Sequence, residues 1–369
     1  MPAPEIALAS LALPFRHAFG HASATRREAQ NVLVRLRAAD GLEGFGEGCP
    51  RDYVSGETPE GALAWLRARA PAVVREVGDL GDLRGWLTAH AAEVDANPSA
   101  VCALEMALLD LFARRAGVSV EGLVGSPALD RPLQASAVYG ASGGLTFGLR
   151  RARFALAGMT EAKMKLSGDA ASDLARARAL ARRGRVRLDA NNLWPDAESA
   201  IAALTPLAAD AWAVEEPVRP RDWSGLAEIG RRTDLAIILD ESFGSPADLG
   251  ALASDVRWLP NLRVSHLGGL LRSLDALAAA RAAGLEGIVG AHVGETSLLA
   301  RAGVALAAAA GDALVGYEGA YGLHLLREDA FTPDVTFDGR GQVIAGEAFD
   351  PAAPGWGLAP RPNLTAALA

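Results

Sequence analysis

The sequence predicts an α/β fold, a TIM-type (β/α) barrel with an α+β domain ahead of it and a loop-like segment after it. Three observations carry this. RVRLDANN, AWAVEEP and LAIILDES each join a short β-branched run to acidic residues, at Asp189, Glu215 and Asp240. Those acids are 26 and 25 residues apart, with helical sequence between them, which is the spacing of successive βα units. Candidate strand ends continue at that interval from Tyr139 through Lys165, Asp189, Glu215, Asp240, Arg263, His292 and Tyr317, the set a TIM-type barrel requires. A doubly wound open sheet is the alternative, but the GxGxxG it predicts after its first strand is absent.

Ahead of the barrel, Glu5 to Phe15, Asn31 to Arg37 and Leu42 to Gly48 read as strands, the last two joined by a turn at Ala38 to Gly41. Arg16 to Gln30 reads as a polar loop carrying His17 and His21, and Cys49 to Thr58 as a second loop. Pro59 to Val77, Leu83 to Val94 and Ser99 to Arg115 have helical periodicity, with Ser99 as N-cap and Gly117 as stop. Expected boundaries are 1–125 for this α+β domain, 126–326 for the barrel and 327–369 for a C-terminal segment that packs back on the first domain. That segment carries a hairpin, Asp334 to Ile344, around Asp338-Gly339-Arg340-Gly341.

The chain has 369 residues, 50% hydrophobic and 22% charged, as expected of a globular protein. A net charge of −8 without a basic run argues against nucleic acid. Val304 to Ala310 is too short to span a bilayer, and Ile6 to Phe15 lacks the basic flank of a signal peptide. Cys49 and Cys102 have no ligand spacing, so a reducing, cytoplasmic compartment is expected.

A carboxylate at the end of a buried parallel strand is costly unless a cation compensates it. An acid there often only caps the next helix. Asp189, Glu215 and Asp240 in register favour a shared cation instead, and hard oxygen ligands suit Mg²⁺. Lys163 and Lys165 flank Met164 at an earlier strand end and face one side together. Neighbouring ammonium groups repel, which lowers the pKa of each and suits one of them to act as a general base.

KMK, LDANNLW, VEEP, LDES and the strand before Gly268-Gly269 together resemble the enolase superfamily, most closely its muconate lactonizing enzyme and dipeptide epimerase subgroup. Gly46 to Thr58 resembles the subgroup's capping-domain loop, and Pro354-Gly355-Trp356-Gly357 its closing turn. The resemblance implies a capping α+β domain, completed by the C-terminal segment, over a modified (β/α) barrel. It implies Mg²⁺ on Asp189, Glu215 and Asp240, with Lys165 as acid/base and Lys163 beside it. The metal would stabilise the enediolate left when a proton α to a carboxylate departs.

The chain departs from that pattern in three places. Arg263 stands where the subgroup has a second lysine. A guanidinium stays protonated, so it is a poor base and a good clamp for an anion. The subgroup's seventh-strand Glu near small residues becomes Gly290-Ala291-His292-Val293-Gly294-Glu295, displaced by about one position, and His292 or His266 is the alternative second acid/base. Glu318 replaces the paired aspartates with which dipeptide epimerases hold a substrate ammonium. Cap-loop residues His17, His21, Arg51 and Tyr53, with Asn191, Glu241, Glu295 and Glu318 at the barrel mouth, are the expected substrate contacts.

The expected activity is therefore Mg²⁺-dependent isomerisation or syn-elimination of a small carboxylate on one face, by an isomerase or lyase that forms a homo-oligomer. A racemase or epimerase of an N-acyl amino acid or dipeptide is the alternative. A non-catalytic binding relative is a third reading, opposed by the intact lysine pair and acid triad.

Overall fold

The computed structural model describes residues 3–21, 24–52, 54–141, 144–362 and 364. The first domain opens with an antiparallel sheet of β1 (Glu5–His21), β2 (Ala24–Arg37) and β3 (Glu43–Gly48). The stretch expected as a polar loop is a continuation of the β1–β2 ribbon, with a register shift between Pro14 and Phe19. The turn to β3 forms as expected, with Ala38 N donating to Leu42 O and Gly41 at φ 87°.

Five helices follow: α1 (Pro59–Glu76), α2 (Leu80–Ala89), α3 (Ala91–Ala96), α4 (Pro98–Ala116) and α5 (Val120–Val124). The single helix expected over 83–94 is broken at His90. Ser99 is not the N-cap of α4. Pro98 occupies the first turn, and the Glu57 carboxylate accepts from Ser99 N at 3.0 Å and Ser99 Oγ at 2.7 Å. A carboxylate at a helix N-terminus satisfies an orphan amide and favours the dipole.

Helix α4 lies directly against β3 because one face of that strand is glycine. A Cβ at Gly44, Gly46 or Gly48 would collide with the carbonyls of Ala107, Ala103 or Ser99. The alternation GFGEG thus gives β3 a bare face for the helix and a face carrying Phe45 and Glu47.

After β4 (Leu133–Gln134), eight parallel strands run in sequence order as one curled sheet. They are β5 (Ala137–Tyr139), β6 (Glu161–Lys165), β7 (Arg185–Asp189), β8 (Ala213–Glu215), β9 (Ala236–Leu239), β10 (Trp258–Leu262), β11 (Gly287–Val289) and β12 (Leu314–Tyr317). The fold is the expected modified TIM-type barrel. Its edges are tied where Ser136 N donates to Tyr317 O at 2.7 Å, and where the Tyr321 hydroxyl donates to Ser136 O at 2.6 Å and accepts from Val138 N at 3.0 Å.

Helices α6 (Gly144–Leu156), α7 (Ala170–Ala181), α8 (Ala197–Leu204), α9 (Trp223–Thr233), α10 (Leu270–Ala282) and α11 (Ser297–Ala310) cover the sheet, and the short α12 (Gly322–Leu325) follows β12. Between β9 and β10 a 3₁₀ turn, Pro246–Ala251, replaces the helix. Among the described residues no helix is long and apolar enough to cross a membrane.

The C-terminal segment holds β13 (Phe331–Thr332), β14 (Gln342–Val343) and β15 (Ala359–Pro360). The expected turn at Asp338 forms, but the strand after it does not fold back on its own hairpin. Gln342–Val343 pairs with β4, and β13 pairs with β15. Trp356 is fully buried, with its backbone N–H on Asp110 and its indole N–H on Met106 O of α4.

Buried carboxylates pin the first domain and the C-terminal segment to barrel helices. Glu47 of β3 accepts from Asn31 Nδ2 at 2.6 Å, Thr296 Oγ1 at 2.5 Å, and Thr296 N and Leu299 N at 3.1 Å. Asp329 accepts from Ser297 N, so both carboxylates cap the start of α11. Glu105 of α4 accepts from Leu271 N at 2.8 Å and caps α10. Gly269, at φ 126°, leaves the room Glu105 needs. Glu47→Ala should strand the donors gathered on one carboxylate, at a cost of roughly 3 kcal/mol or more, read as a fall in urea midpoint. A midpoint unchanged from the parent would show that the contact does not hold the two parts together.

Candidate active site

Parallel strands put their carboxyl ends at one mouth of the barrel, and β6, β7 and β8 end in charged residues there. Register aligns Lys163 with Arg187, and Lys165 with Asp189, which aligns in turn with Glu215. Side chains two apart on a strand share a face, so the inward positions form layers: Lys163 and Arg187 below, Lys165 and Asp189 above.

Lys163 Nζ stands 2.7 Å from Glu215 Oε1, 3.0 Å from Glu318 Oε2 and 3.3 Å from Asp189 Oδ2. Burial alone would lower its pKa, but Asp189, Glu215 and Glu318 outweigh that and push it well up. For Lys163 this reverses the expectation that a neighbouring ammonium would lower it. Burial would raise the Asp189 carboxyl, yet Lys163 and Lys165 hold it down at about 2. Glu215, the most enclosed, is pushed up to about 7 by burial against the pull of Lys163. Fully buried Arg187 spans Glu161 at 2.6 Å and Glu318 at 2.8 Å. Glu318 is held down at about 2, where burial is overcome by Lys163 and Arg187.

Lys165 is less committed. Its Nζ is 3.5 Å from Asp189 Oδ2 and from Asn191 Oδ1, and its side chain keeps 20% exposure into the cavity. Asn191 bonds back to Asp189 through its backbone and side-chain N–H groups. Asn191 and Asn192 lie at φ 46° and 57°, a left-handed turn that asparagine tolerates. Across the mouth, Arg263 ion-pairs with Asp240.

A cavity of about 310 Å³ opens between barrel mouth and first domain. Lys163, Lys165, Asp189, Asn191 and Asp240 line it. So do Glu241, Arg263, His292, Glu295 and Glu318. Glu215 sits beneath them, against Lys163. Arg51 is not in the cavity wall. It is buried and donates to Gln30 O, Pro50 O, Asn31 Oδ1 and Val293 O, each at 2.8 Å, so it clamps the cap loop to the β11 loop instead of touching a ligand. The side chains of His17 and His21, and all of Tyr53, lie outside the described residues.

β11 ends at Val289, three residues before His292, so His292 stands in the following loop. Its ring is buried and neither nitrogen has a hydrogen-bond partner among the described residues. Burial and then Arg263 lower its pKa far below the usual imidazole value, which keeps the ring neutral and makes it a weak base. The Glu295 carboxylate accepts from His292 N at 2.6 Å, and burial pushes that carboxyl up to about 8. His266 lies behind His292, its ring 6.4 Å away, and burial lowers it to about 4.

Glu216 and Arg187 were not singled out by sequence. Glu216, at φ 38°, accepts from Asp240 N at 2.7 Å and from Ser242 N and Oγ at 2.8 Å, which fixes the end of β9 relative to β8. The doubled acid of VEEP was the signal: one carboxylate faces the site and the other binds the next strand.

Among the described residues no three His, Cys, Asp or Glu side chains are grouped as a metal cage, because Lys163 draws in Asp189 and Glu215 while Arg263 holds Asp240. The donor set nonetheless fits a hard divalent cation. Asp189, Glu215 and Asp240 offer only carboxylate oxygens, and Glu215 Oε2 and Asp240 Oδ1 are buried with no hydrogen-bond partner.

Residues 149–364 match the family described as "Enolase C-terminal domain-like", and residues 6–125 match "Mandelate racemase / muconate lactonizing enzyme, N-terminal domain". The chain is similar to a hydrophobic dipeptide epimerase of Citrifermentans bemidjiense, 33% identical over 313 residues that cover 81% of this chain and 83% of the relative. Among solved structures, 2-chloromuconate cycloisomerase from Rhodococcus opacus superposes with TM-score 0.85 at 25% identity, over 100% of this chain and 99% of that one. A dipeptide epimerase from Cytophaga hutchinsonii, complexed with Mg and the dipeptide D-Ala-L-Val, shares the fold at TM-score 0.83 and 22% identity, over 100% and 99% of the two chains.

Glu216→Ala should leave the amides of Asp240 and Ser242 without acceptors. The expected loss is about 2–4 kcal/mol of stability, together with most of the activity. Glu216→Gln, which keeps an acceptor oxygen, should lose less of both. Denaturant titration and turnover check this, and equal losses for the two variants would refute the hydrogen-bond role.

Proposed function

Because this chain belongs to the enolase superfamily, in its muconate lactonizing enzyme and dipeptide epimerase subgroup, we propose that it removes the α-proton of a small carboxylate with Lys165 and completes an isomerisation or syn-elimination on the same face. The observation that carries this reading is the difference between the two lysines. Lys163 is enclosed by Asp189, Glu215 and Glu318, which hold its proton. Arg263 is a guanidinium, paired with Asp240, and does not accept protons. Lys165 is left as the base, facing the cavity with only long contacts, to Asp189 and Asn191, among the described residues. One lysine that takes a proton and returns it serves a one-face reaction.

We assign Asp189, Glu215 and Asp240 as ligands for Mg²⁺, the ion named with the Cytophaga dipeptide epimerase. When bound, the ion would supply positive charge for the substrate carboxylate oxygens as the proton leaves. Around it this chain's residues orient and enclose. Asn191 steers Asp189, Glu216 sets Asp240, and Arg187 keeps Glu318 turned toward Lys163. Arg263 is placed to hold a second oxygen of the substrate anion. Buried free thiols at Cys49 and Cys102 suit a reducing cytoplasm.

One observation favours racemisation or epimerisation as a second reading. His292 lines the cavity, and neither ring nitrogen is hydrogen-bonded among the described residues. An imidazole nitrogen offers a lone pair that the Arg263 guanidinium lacks, though its lowered pKa makes it a weak base. The relatives include a dipeptide epimerase, which makes this the main competitor.

Proton NMR in deuterium oxide with Mg²⁺, over acid sugars, N-acyl amino acids, dipeptides and lactones, tests both. Lys165→Ala should abolish α-proton exchange, while His292→Asn should leave it near the parent rate. Exchange that survives Lys165→Ala refutes the assigned base. Exchange into the opposite configuration that disappears in His292→Asn establishes the second reading in place of the first.

The metal assignment has a separate measurement. Asp240→Asn should weaken Mg²⁺ binding in calorimetry by ten-fold or more while the far-ultraviolet dichroism stays that of the parent, because a neutral amide is a poorer ligand for a hard cation. Unchanged affinity would remove Asp240 from the ligand set.

A further inference from the structure

The outer wall of the cavity, away from the strand ends, carries charge of one sign. Arg16 of β1 and Arg150 and Arg153 of α6 line it, beside His324 of α12. Arg150 and Arg153 are one helical turn apart, so they project from one face of α6. The helix follows β5 and runs down from the mouth. Its side chains lean back toward its N-terminus, which carries both guanidinium groups up toward the opening. Arg150 Nη1 reaches the end of β5, where a Cβ built on Gly140 would stand 3.6 Å from it.

None of these arginines has a carboxylate partner among the described residues. Arg16 Nε is bound to the carbonyls of Leu323 at 2.6 Å and Leu326 at 2.9 Å, and among the described residues Arg153 has one polar contact, His324 Nδ1 at 3.2 Å. Glu318, which also lines the cavity, has one oxygen on Lys163 and the other on Arg187. Glu318 is therefore not free to receive an ammonium. Between the arginines and the strand ends the lining is apolar, from Val138, Phe154, Leu325 and Phe337.

We infer that this wall is a second anion subsite, and that the substrate is a dianion: one carboxylate at Lys165 and Arg263, an apolar spacer, and a distal oxyanion on Arg150 and Arg153. The inference rests on the proposed function only in placing the reacting carboxylate. It excludes free dipeptides, whose ammonium would meet the arginines, and favours acids or N-acyl amino acids whose far end is a carboxylate or a phosphate-like group. Fork-shaped guanidinium donors match either oxyanion in pairs.

Calorimetry on the Mg²⁺-loaded protein tests it without relying on turnover. Linear acids of equal length would be titrated with a distal carboxylate, phosphonate, carboxamide or ammonium. At least one dianion should bind about ten-fold or more tightly than its carboxamide, and the ammonium compound should bind no better than the carboxamide. Arg150→Gln with Arg153→Gln should erase the dianion's advantage and leave carboxamide binding unchanged. Whether carboxylate or phosphonate gains more identifies the oxyanion. If no dianion outbinds its carboxamide, or if the advantage survives both substitutions, the subsite does not exist. Loss of proton exchange in Lys165→Ala is a different readout, so failure of the subsite and failure of the assigned base are told apart.

Discussion

An ionised carboxylate in an apolar barrel must have a partner, and the interior of this molecule is arranged around that constraint. Asp189, Glu215, Asp240 and Glu318 stand where water is largely excluded. An unpartnered charge there would be neutralised by a pKa shift or would cost several kcal/mol. Lys163, Lys165, Arg187 and Arg263 answer them, the first three from two inward layers of β6 and β7 and the last from the residue after β10. Compensation is uneven. Asp189 and Glu318 are held ionised, whereas Glu215 is pushed up toward neutrality even with Lys163 against it. Its outer oxygen has no hydrogen bond, and neither has Asp240 Oδ1. Those two atoms are where a cation would complete the charge balance.

The same constraint organises the seams between parts of the chain. Helix N-termini need acceptors, and here Glu47, Glu105 and Asp329 supply them from outside the barrel. Each such contact removes an orphan amide and partners a buried acid in one step. The cavity therefore lies under a rigid part of the first domain, held by Glu47, Asn31 and Arg51. Arg51 spends its donors on that work, which is why a cap-loop arginine that reads as a ligand contact is structural.

The barrel was legible in the sequence because parallel strands buried on both faces are short β-branched runs, and those in the site end in charged residues. Their ends fall within a residue of the predicted positions for all but the seventh strand. There Val289 closes the strand and His292 belongs to the loop, since Gly290 to Gly294 supplies little β propensity. What was hidden depends on partners distant in sequence. Nothing near Arg187 says that it will meet Glu318, 131 residues on, and nothing near Lys163 says that three acids will hold its proton. The pairing of Gln342 with Gln134, and the capture of Ser99 by Glu57, are hidden for the same reason. Arg16 to Gln30 reads as loop because the stretch is polar and lacks the apolar alternation by which a strand is recognised.

Arg263 ties the charge balance to the direction of the chemistry. A lysine at its position would have two protonation states and serve either as partner to Asp240 or as an acid/base. A guanidinium has one state in protein conditions, so the face of the cavity it occupies is fixed as positive. Burial and Arg263 together keep His292 neutral and weaken it as a base. Replacing a titratable cation by a permanent one thus moves any proton acceptor on that side from the strand to the loop. Under the proposed one-face chemistry Lys165 acts alone, and a second acid/base at His292 would have to overcome its weakness as a base.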